Sequence, residues 1–207
     1  MNELTPGDNR NKIPLEVVLK ERGIEMAPDG RLVLYHATTA DKLAKILKGN
    51  KIEPPKKTGE SSWAVENEKS DEVKQSKVYL GSYDTITGIS KMLTEEKGGR
   101  GFLVETKVPQ SGLRADEDSG AGDHDWVESL YRLGTCSYEG EIDNIKVVKI
   151  SDVEISRDTA LSLMNSSLSD DELANEVGKI KSEIIEEENE IFRKHGIDPE
   201  KIIEQDS

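Results

Sequence analysis

The sequence predicts a mixed α+β body over residues 31–155, followed by an acidic helical tail over residues 156–207. Two observations lead to this fold class. The body holds short apolar segments bounded by turn residues, and few amphipathic segments separate them. In the tail, apolar residues recur every three or four positions from Leu173 to Phe192, which is the period of a helix.

The elements follow in order along the chain. Residues 1–30 are predicted as a polar lead-in with one short helix, 13–21, which Gly23 ends. Each predicted strand is a short apolar segment; these are 31–36, 78–81, 101–108, 126–131, 136–138 and 145–150. The other predicted helices are 41–48, 85–93 and a long one that begins at the capping sequence Ser169–Glu172. Residues 53–76 and 110–125 are predicted as long loops.

Charge and composition exclude several classes of protein. The chain has a net charge of −14, and residues 151–207 carry 16 acidic and 6 basic side chains. A nearly neutral body without a basic stripe disfavours nucleic-acid binding. Cys136 is the single cysteine, so neither a disulfide framework nor a cysteine-rich zinc site is expected. There is no secretory signal and no stretch of about 18 apolar residues, so we expect an intracellular, cytoplasmic protein without a membrane partner.

Three places in the body carry residues suited to chemistry. The first is Tyr35–Thr39, which has His36 at a strand end. The second is Val78–Tyr83, which has Tyr79 close to Gly81, and the third is Trp126–Thr135, which contains Glu128. Each has an ordinary structural interpretation: a hydrogen-bonded histidine, a packed tyrosine and a solvent-facing glutamate. Their order along the chain is what makes them a candidate site.

That order resembles the ADP-ribosyltransferases of the diphtheria-toxin type, which include the poly(ADP-ribose) polymerases and small phage and bacterial transferases. Tyr35-His36-Ala37-Thr38 is similar to the Tyr-His-Gly-Thr motif of the family, with Ala37 in place of glycine. Val78-Tyr79-Leu80-Gly81 is similar to its second motif. The run from Glu128 to Gly134-Thr135 keeps the six-residue step that follows the catalytic glutamate of bacterial toxins.

The resemblance implies a split antiparallel or mixed sheet. It also implies a mono-ADP-ribosyltransferase that moves ADP-ribose from NAD to a macromolecular acceptor, with a protein as the preferred acceptor. Glu128 would hold the ribose 2′-hydroxyl, and His36 would bind the adenosine-side ribose. The backbone of Ala37 would bind the carboxamide, with Thr38 as a supporting hydroxyl. Tyr79 would stack on the nicotinamide ring. No metal is needed.

Departures from the family pattern leave alternatives for individual residues. Ser90 stands where the polymerases carry a second stacking ring, so Tyr83 is the candidate substitute. Glu139 and Glu141 form a second choice for the catalytic carboxylate. His124 and Asp125 either engage the acceptor or are ordinary loop residues.

Two alternatives concern the function as a whole. An NAD-dependent RNA 2′-phosphotransferase would require Arg31, Arg100, Arg114 and Arg132 to cluster in space. A transferase-like fold that has lost activity would act as a binding module. The acidic C-terminal helix is predicted to pack on the body or on a second copy of the chain, which would make a homo-oligomer.

Overall fold

The computed structural model describes residues 12–54, 77–122 and 124–203. The predicted α+β class with an antiparallel sheet is confirmed. Seven helices lie in the described residues: α1 Leu15–Arg22, α2 Ala40–Gly49, α3 Tyr83–Lys97, α4 Trp126–Leu133, α5 Arg157–Met164, α6 Asp170–Lys194 and α7 Pro199–Ile203. The strands are β1 Leu32–Thr38, β2 Lys51–Ile52, β3 Lys77–Gly81, β4 Phe102–Val108, β5 Leu113–Arg114, β6 Thr135–Glu139, β7 Ile142–Asp143 and β8 Lys146–Ile150.

Within the described residues, six strands form one sheet in the order β5-β6-β3-β1-β4-β8, and every neighbouring pair is antiparallel. A second, two-stranded sheet joins β2 to β7. β1 lies at the centre and pairs with β4 along its whole length, from Leu32 opposite Val108 to Thr38 opposite Phe102. On its other side, β1 pairs with β3 through the one residue pair Tyr35 and Gly81. The backbone ladder is therefore much shorter on the β3 side of β1.

Both faces of the central strand are covered by helices, as its near-continuous apolar sequence requires. The larger core cluster includes Leu34 and Phe102 of the sheet, Leu43 of α2 and Phe192 of α6. The smaller cluster lies under α3 and joins Ile86 to Ala37 and Leu103, two residues that are opposite each other in the β1–β4 register.

The long C-terminal helix packs on the body of the same chain. α6 begins with the predicted capping box, in which the Ser169 backbone N–H donates to Glu172 Oε2 over 2.9 Å. Near its end, the Phe192 ring meets the Phe102 ring edge to face, with the centroids 5.7 Å apart. The carboxylate of Glu188 accepts hydrogen bonds from the backbone N–H and from Nε of Arg100.

One strand prediction is wrong. Residues 126–131 form the helix α4, because Trp126, Val127 and Leu130 follow helical spacing and the Asp125 side chain caps the helix by accepting from the Glu128 backbone N–H. Gly134 ends the helix with a left-handed φ of 75°. The strand begins one residue later, as β6.

The two predicted long loops differ in outcome. Residues 110–125 contain β5 and two short 3₁₀ turns, Gln110–Gly112 and Glu117–Ser119. Most of the other, residues 55–76, lies outside the described residues, as do residues 1–11 of the lead-in. Within the part of the chain that is described, no helix combines the length and the apolar character needed to cross a membrane.

Candidate functional site

The His36 side chain bridges the two central strands where their ladder is short. Its Nδ1 lies 2.9 Å from the backbone carbonyl oxygen of Tyr79 on β3. Because a carbonyl only accepts, Nδ1 carries the proton and donates. Burial lowers the pKa of His36, outweighing the bond to Tyr79, and the nearby charge of Lys42 lowers it further. The ring is therefore neutral at pH 7, with Nε2 as a hydrogen-bond acceptor.

The Tyr79 side chain is fixed at its tip by a carboxylate. Its hydroxyl donates to Glu117 Oε2 over 2.7 Å. Burial first, and then the bond to Glu117, raise the pKa of Tyr79 well above its usual range, so the phenol stays protonated. The half-buried ring is thus held in one orientation beside β1.

Glu117 is ionised although it is partly buried. Its Oε1 lies 3.0 Å from Nζ of Lys77, whose side chain is 2% exposed, whereas that of Glu117 is 28% exposed. Burial alone would raise the pKa of Glu117, but the hydrogen bonds from Tyr79, the Glu117 backbone and Lys77 lower it overall. Lys77, Tyr79 and Glu117 form a charged cluster that solvent reaches through the carboxylate.

The turn that carries Glu117 is anchored to β6 and α4. Thr135 Oγ1 donates to Asp116 Oδ2 over 2.7 Å. The Ser129 hydroxyl donates to the Thr135 carbonyl over 2.8 Å and accepts from the Asp116 backbone N–H over 2.9 Å. Ser137, opposite Tyr79 in the β3–β6 register, donates to the Ala115 carbonyl. These bonds fix residues 115–117 beside the Tyr79 ring.

Three buried hydroxyls have no hydrogen-bond partner among the described residues. They are Thr38 Oγ1 at the end of β1, and Thr87 Oγ1 and Ser90 Oγ on α3, the helix that packs against β1. A buried hydroxyl without a partner is unfavourable and rare.

The structure brings some of the predicted residues together and separates others. His36 Nδ1 bonds the backbone carbonyl of Tyr79, and Ala37 and Thr38 follow His36 on β1. Tyr83 starts α3, and its ring lies edge to face with Tyr35, the centroids 5.2 Å apart. Nζ of Lys149 lies 5.6 Å from the Tyr83 ring centroid.

Glu128 lies on α4 rather than on a strand. Its described contacts are local: its backbone N–H is bound by Asp125, and its carboxylate pairs with Arg132 one turn later. The second-choice carboxylates are also paired, Glu139 with Arg114 and Glu141 with Lys51.

Sequence reasoning missed Glu117 and Lys77. The signal available was weak: Glu117 lies within an acidic run that follows the short apolar segment around Leu113. Within residues 12–54, 77–122 and 124–203, no group of three or more His, Cys, Asp or Glu side chains could hold a metal ion.

Comparison of the chain with models of known protein families, with curated proteins and with solved structures finds no match.

Proposed function

We propose that this protein is an NAD-dependent mono-ADP-ribosyltransferase that acts on a macromolecular acceptor, with a protein as the preferred acceptor. The observation that carries the proposal is the hydrogen bond from His36 Nδ1 to the backbone carbonyl of Tyr79, which joins neighbouring central strands. The motif resemblance pairs these two residue types on two strands, and the hydrogen bond from the His36 ring to the Tyr79 backbone supports that pairing.

The side chains supply the recognition that the reaction needs. The neutral His36 ring offers Nε2 to a ribose hydroxyl, and the fixed Tyr79 ring offers a face for stacking on nicotinamide. Thr38 offers a buried hydroxyl without a partner. NAD supplies the reactive bond: nicotinamide leaves with the electron pair of its bond to ribose, and the positive charge that develops on the ribose favours a nearby carboxylate.

The alternative of an RNA 2′-phosphotransferase has less support, because the arginines that would bind phosphate are neutralised one by one. Each of the four pairs with its own carboxylate: Arg31 with Asp29, Arg100 with Glu188, Arg114 with Glu139 and Arg132 with Glu128. No cluster of free guanidinium groups results from these four residues.

Nicotinamide release from NAD tests the proposal, measured with the purified protein alone and with a lysate that supplies acceptors. His36→Asn keeps an N–H donor toward the Tyr79 carbonyl but removes Nε2. His195→Asn is the matched control, since His195 Nδ1 also lies 2.9 Å from a backbone carbonyl, that of Ile191 on α6.

We expect release by the wild type and by His195→Asn, and a loss of about tenfold or more in His36→Asn, the value of one hydrogen bond to a ligand. No release by the wild type under either condition would overturn the proposal. NAD binding without release would then identify a binding module.

A further inference from the structure

We infer that Glu117, and not Glu128, is the carboxylate that faces the ribose in this site. This inference rests on the proposed function and assigns its catalytic residue. The Tyr79 ring is the surface proposed to stack on nicotinamide, and Glu117 is the carboxylate bonded to it, with Tyr79 Oη and Glu117 Oε2 2.7 Å apart. A carboxylate at the tip of the ring is within reach of a ribose attached to a base stacked on the face of that ring.

The surroundings of Glu117 suit the stabilisation of positive charge. Lys77 and Tyr79 each bind one oxygen, and a carboxylate has further acceptor positions on both oxygens. The side chain keeps 28% of its surface exposed, so a ribose hydroxyl can approach it. Its turn is fixed by Asp116 and Ser129, which gives the preorganised geometry that makes electrostatic stabilisation effective.

The partners of Glu128 differ from those of Glu117 and do not include Tyr79 in the described residues. Glu128 is on a helix and not on a strand beside Tyr79, and its carboxylate pairs with Arg132 in an i,i+4 arrangement on the helix surface. Arg132 in turn donates to the Ser119 carbonyl.

The reaction balances without any further reagent. The bond between the ribose C1′ and the nicotinamide nitrogen breaks, and its electron pair neutralises the pyridinium as nicotinamide leaves. Glu117 accepts a hydrogen bond from the ribose 2′-hydroxyl and remains ionised while the positive charge develops. An oxygen or nitrogen of the acceptor forms the new bond to C1′ and releases its proton to water.

The test compares two isosteric substitutions, Glu117→Gln and Glu128→Gln, for nicotinamide release and for NAD binding. We expect Glu117→Gln to lose about 100-fold or more in release, as the removal of one transition-state stabiliser does. NAD binding should change much less. Glu128→Gln should stay within about twofold of the wild type, since Glu128 has no described contact with Tyr79 and its i,i+4 ion pair with the half-exposed Arg132 contributes little.

A double variant separates loss of the carboxylate from damage to the fold. Glu117→Gln removes the carboxylate that pairs with Nζ of the buried Lys77, and Lys77→Met with Glu117→Gln removes the ammonium group as well. We expect the double variant to melt at or above the temperature of Glu117→Gln and to stay inactive. Recovery of release in the double variant would overturn the inference.

The outcomes for the inference and for the proposed function are distinct. Glu117→Gln with wild-type release, or a collapse confined to Glu128→Gln, overturns the assignment and leaves the proposed function standing. A wild type that releases no nicotinamide overturns both.

Discussion

The ion pair between Arg100 and Glu188 joins the C-terminal helix to the sheet, and replacing Glu188 with alanine should loosen that attachment. The two side chains are 9% and 10% exposed, so solvent barely reaches the pair. The Glu188 carboxylate also accepts the Arg100 backbone N–H over 2.8 Å. Removal of the Glu188 carboxylate leaves the buried Arg100 guanidinium with a neutral partner. That partner is Asn189 Oδ1, which lies 3.3 Å from Arg100 Nη2.

The expected cost follows from this burial. Breaking a buried ion pair on one side costs about 3–5 kcal/mol, because the remaining charge loses its partner without regaining water. The retained bond to Asn189 places Glu188→Ala near 3 kcal/mol. With a urea slope of about 2 kcal/mol/M, the unfolding midpoint should fall by about 1.5 M.

Glu186→Ala is the matched control on the same helix. Glu186 pairs with Arg193, but the two side chains are 64% and 53% exposed. Exposed pairs contribute about 0.2–1 kcal/mol, so its midpoint should fall by about 0.1–0.5 M. The change in helix propensity is the same in both variants and cancels. Equal midpoints for Glu188→Ala and Glu186→Ala would refute the reasoning from burial.

Three further predictions concern single residues. Because the pKa of His36 is lowered in the folded protein, the free energy of unfolding should decrease as the pH falls below about 6.5, the ordinary histidine pKa. Urea titrations at several pH values should show a smaller decrease for His36→Asn than for the wild type. An identical decrease would contradict the lowered pKa of His36. Burial raises the pKa of the Cys136 thiol, so a thiol reagent should react with it rapidly only after unfolding; rapid reaction of the native protein would count against its burial. Gly134→Ala places a Cβ 2.1 Å from Thr85 Oγ1 at a φ of 75°, so it should lower the free energy of unfolding by more than about 2 kcal/mol. Gly196→Ala has a similar φ of 76° but no atom within 4 Å of the new Cβ, so it should lower that free energy by about 1 kcal/mol in the same urea assay.

The sequence was informative where the signals are local. β1 was predicted from its apolar run. The helix α2 that follows was predicted to end at Gly49-Asn50, and Asn50 does adopt a left-handed φ of 51°. α3 was recognised from the spacing of Ile86, Ile89 and Leu93, although it extends from Tyr83 to Lys97. In each case one stretch of chain contains the whole pattern.

The third motif region was mispredicted because two signals conflicted. Trp126, Val127 and Tyr131 are residue types that favour strands, whereas the cap at Asp125 and the stop at Gly134 favour a short helix. The caps agree with the helix that forms, in which Leu130 is buried, and Glu128 therefore does not lie on the strand where the motif comparison had placed it.

The Glu117 contact could not be predicted from the sequence, because it joins residues 38 positions apart. It depends on β6 lying between β5 and β3, an order that no local pattern encodes. The placement of His36 against Tyr79 likewise needs β1 and β3 to be neighbours. The residue types of the candidate site could therefore be read in part, but its carboxylate could not.

The strand order has a consequence for synthesis on the ribosome. β3 ends at Gly81, but β6, its neighbour on the side away from β1, ends at Glu139. At about 5–20 residues per second, the intervening chain takes roughly 3–12 s to emerge. During that interval the outer edge of β3 is an unpaired strand edge, which is a site for pairing with other chains. Lys77 at the start of β3 places a positive charge on this edge until Glu117 and β6 arrive to cover it.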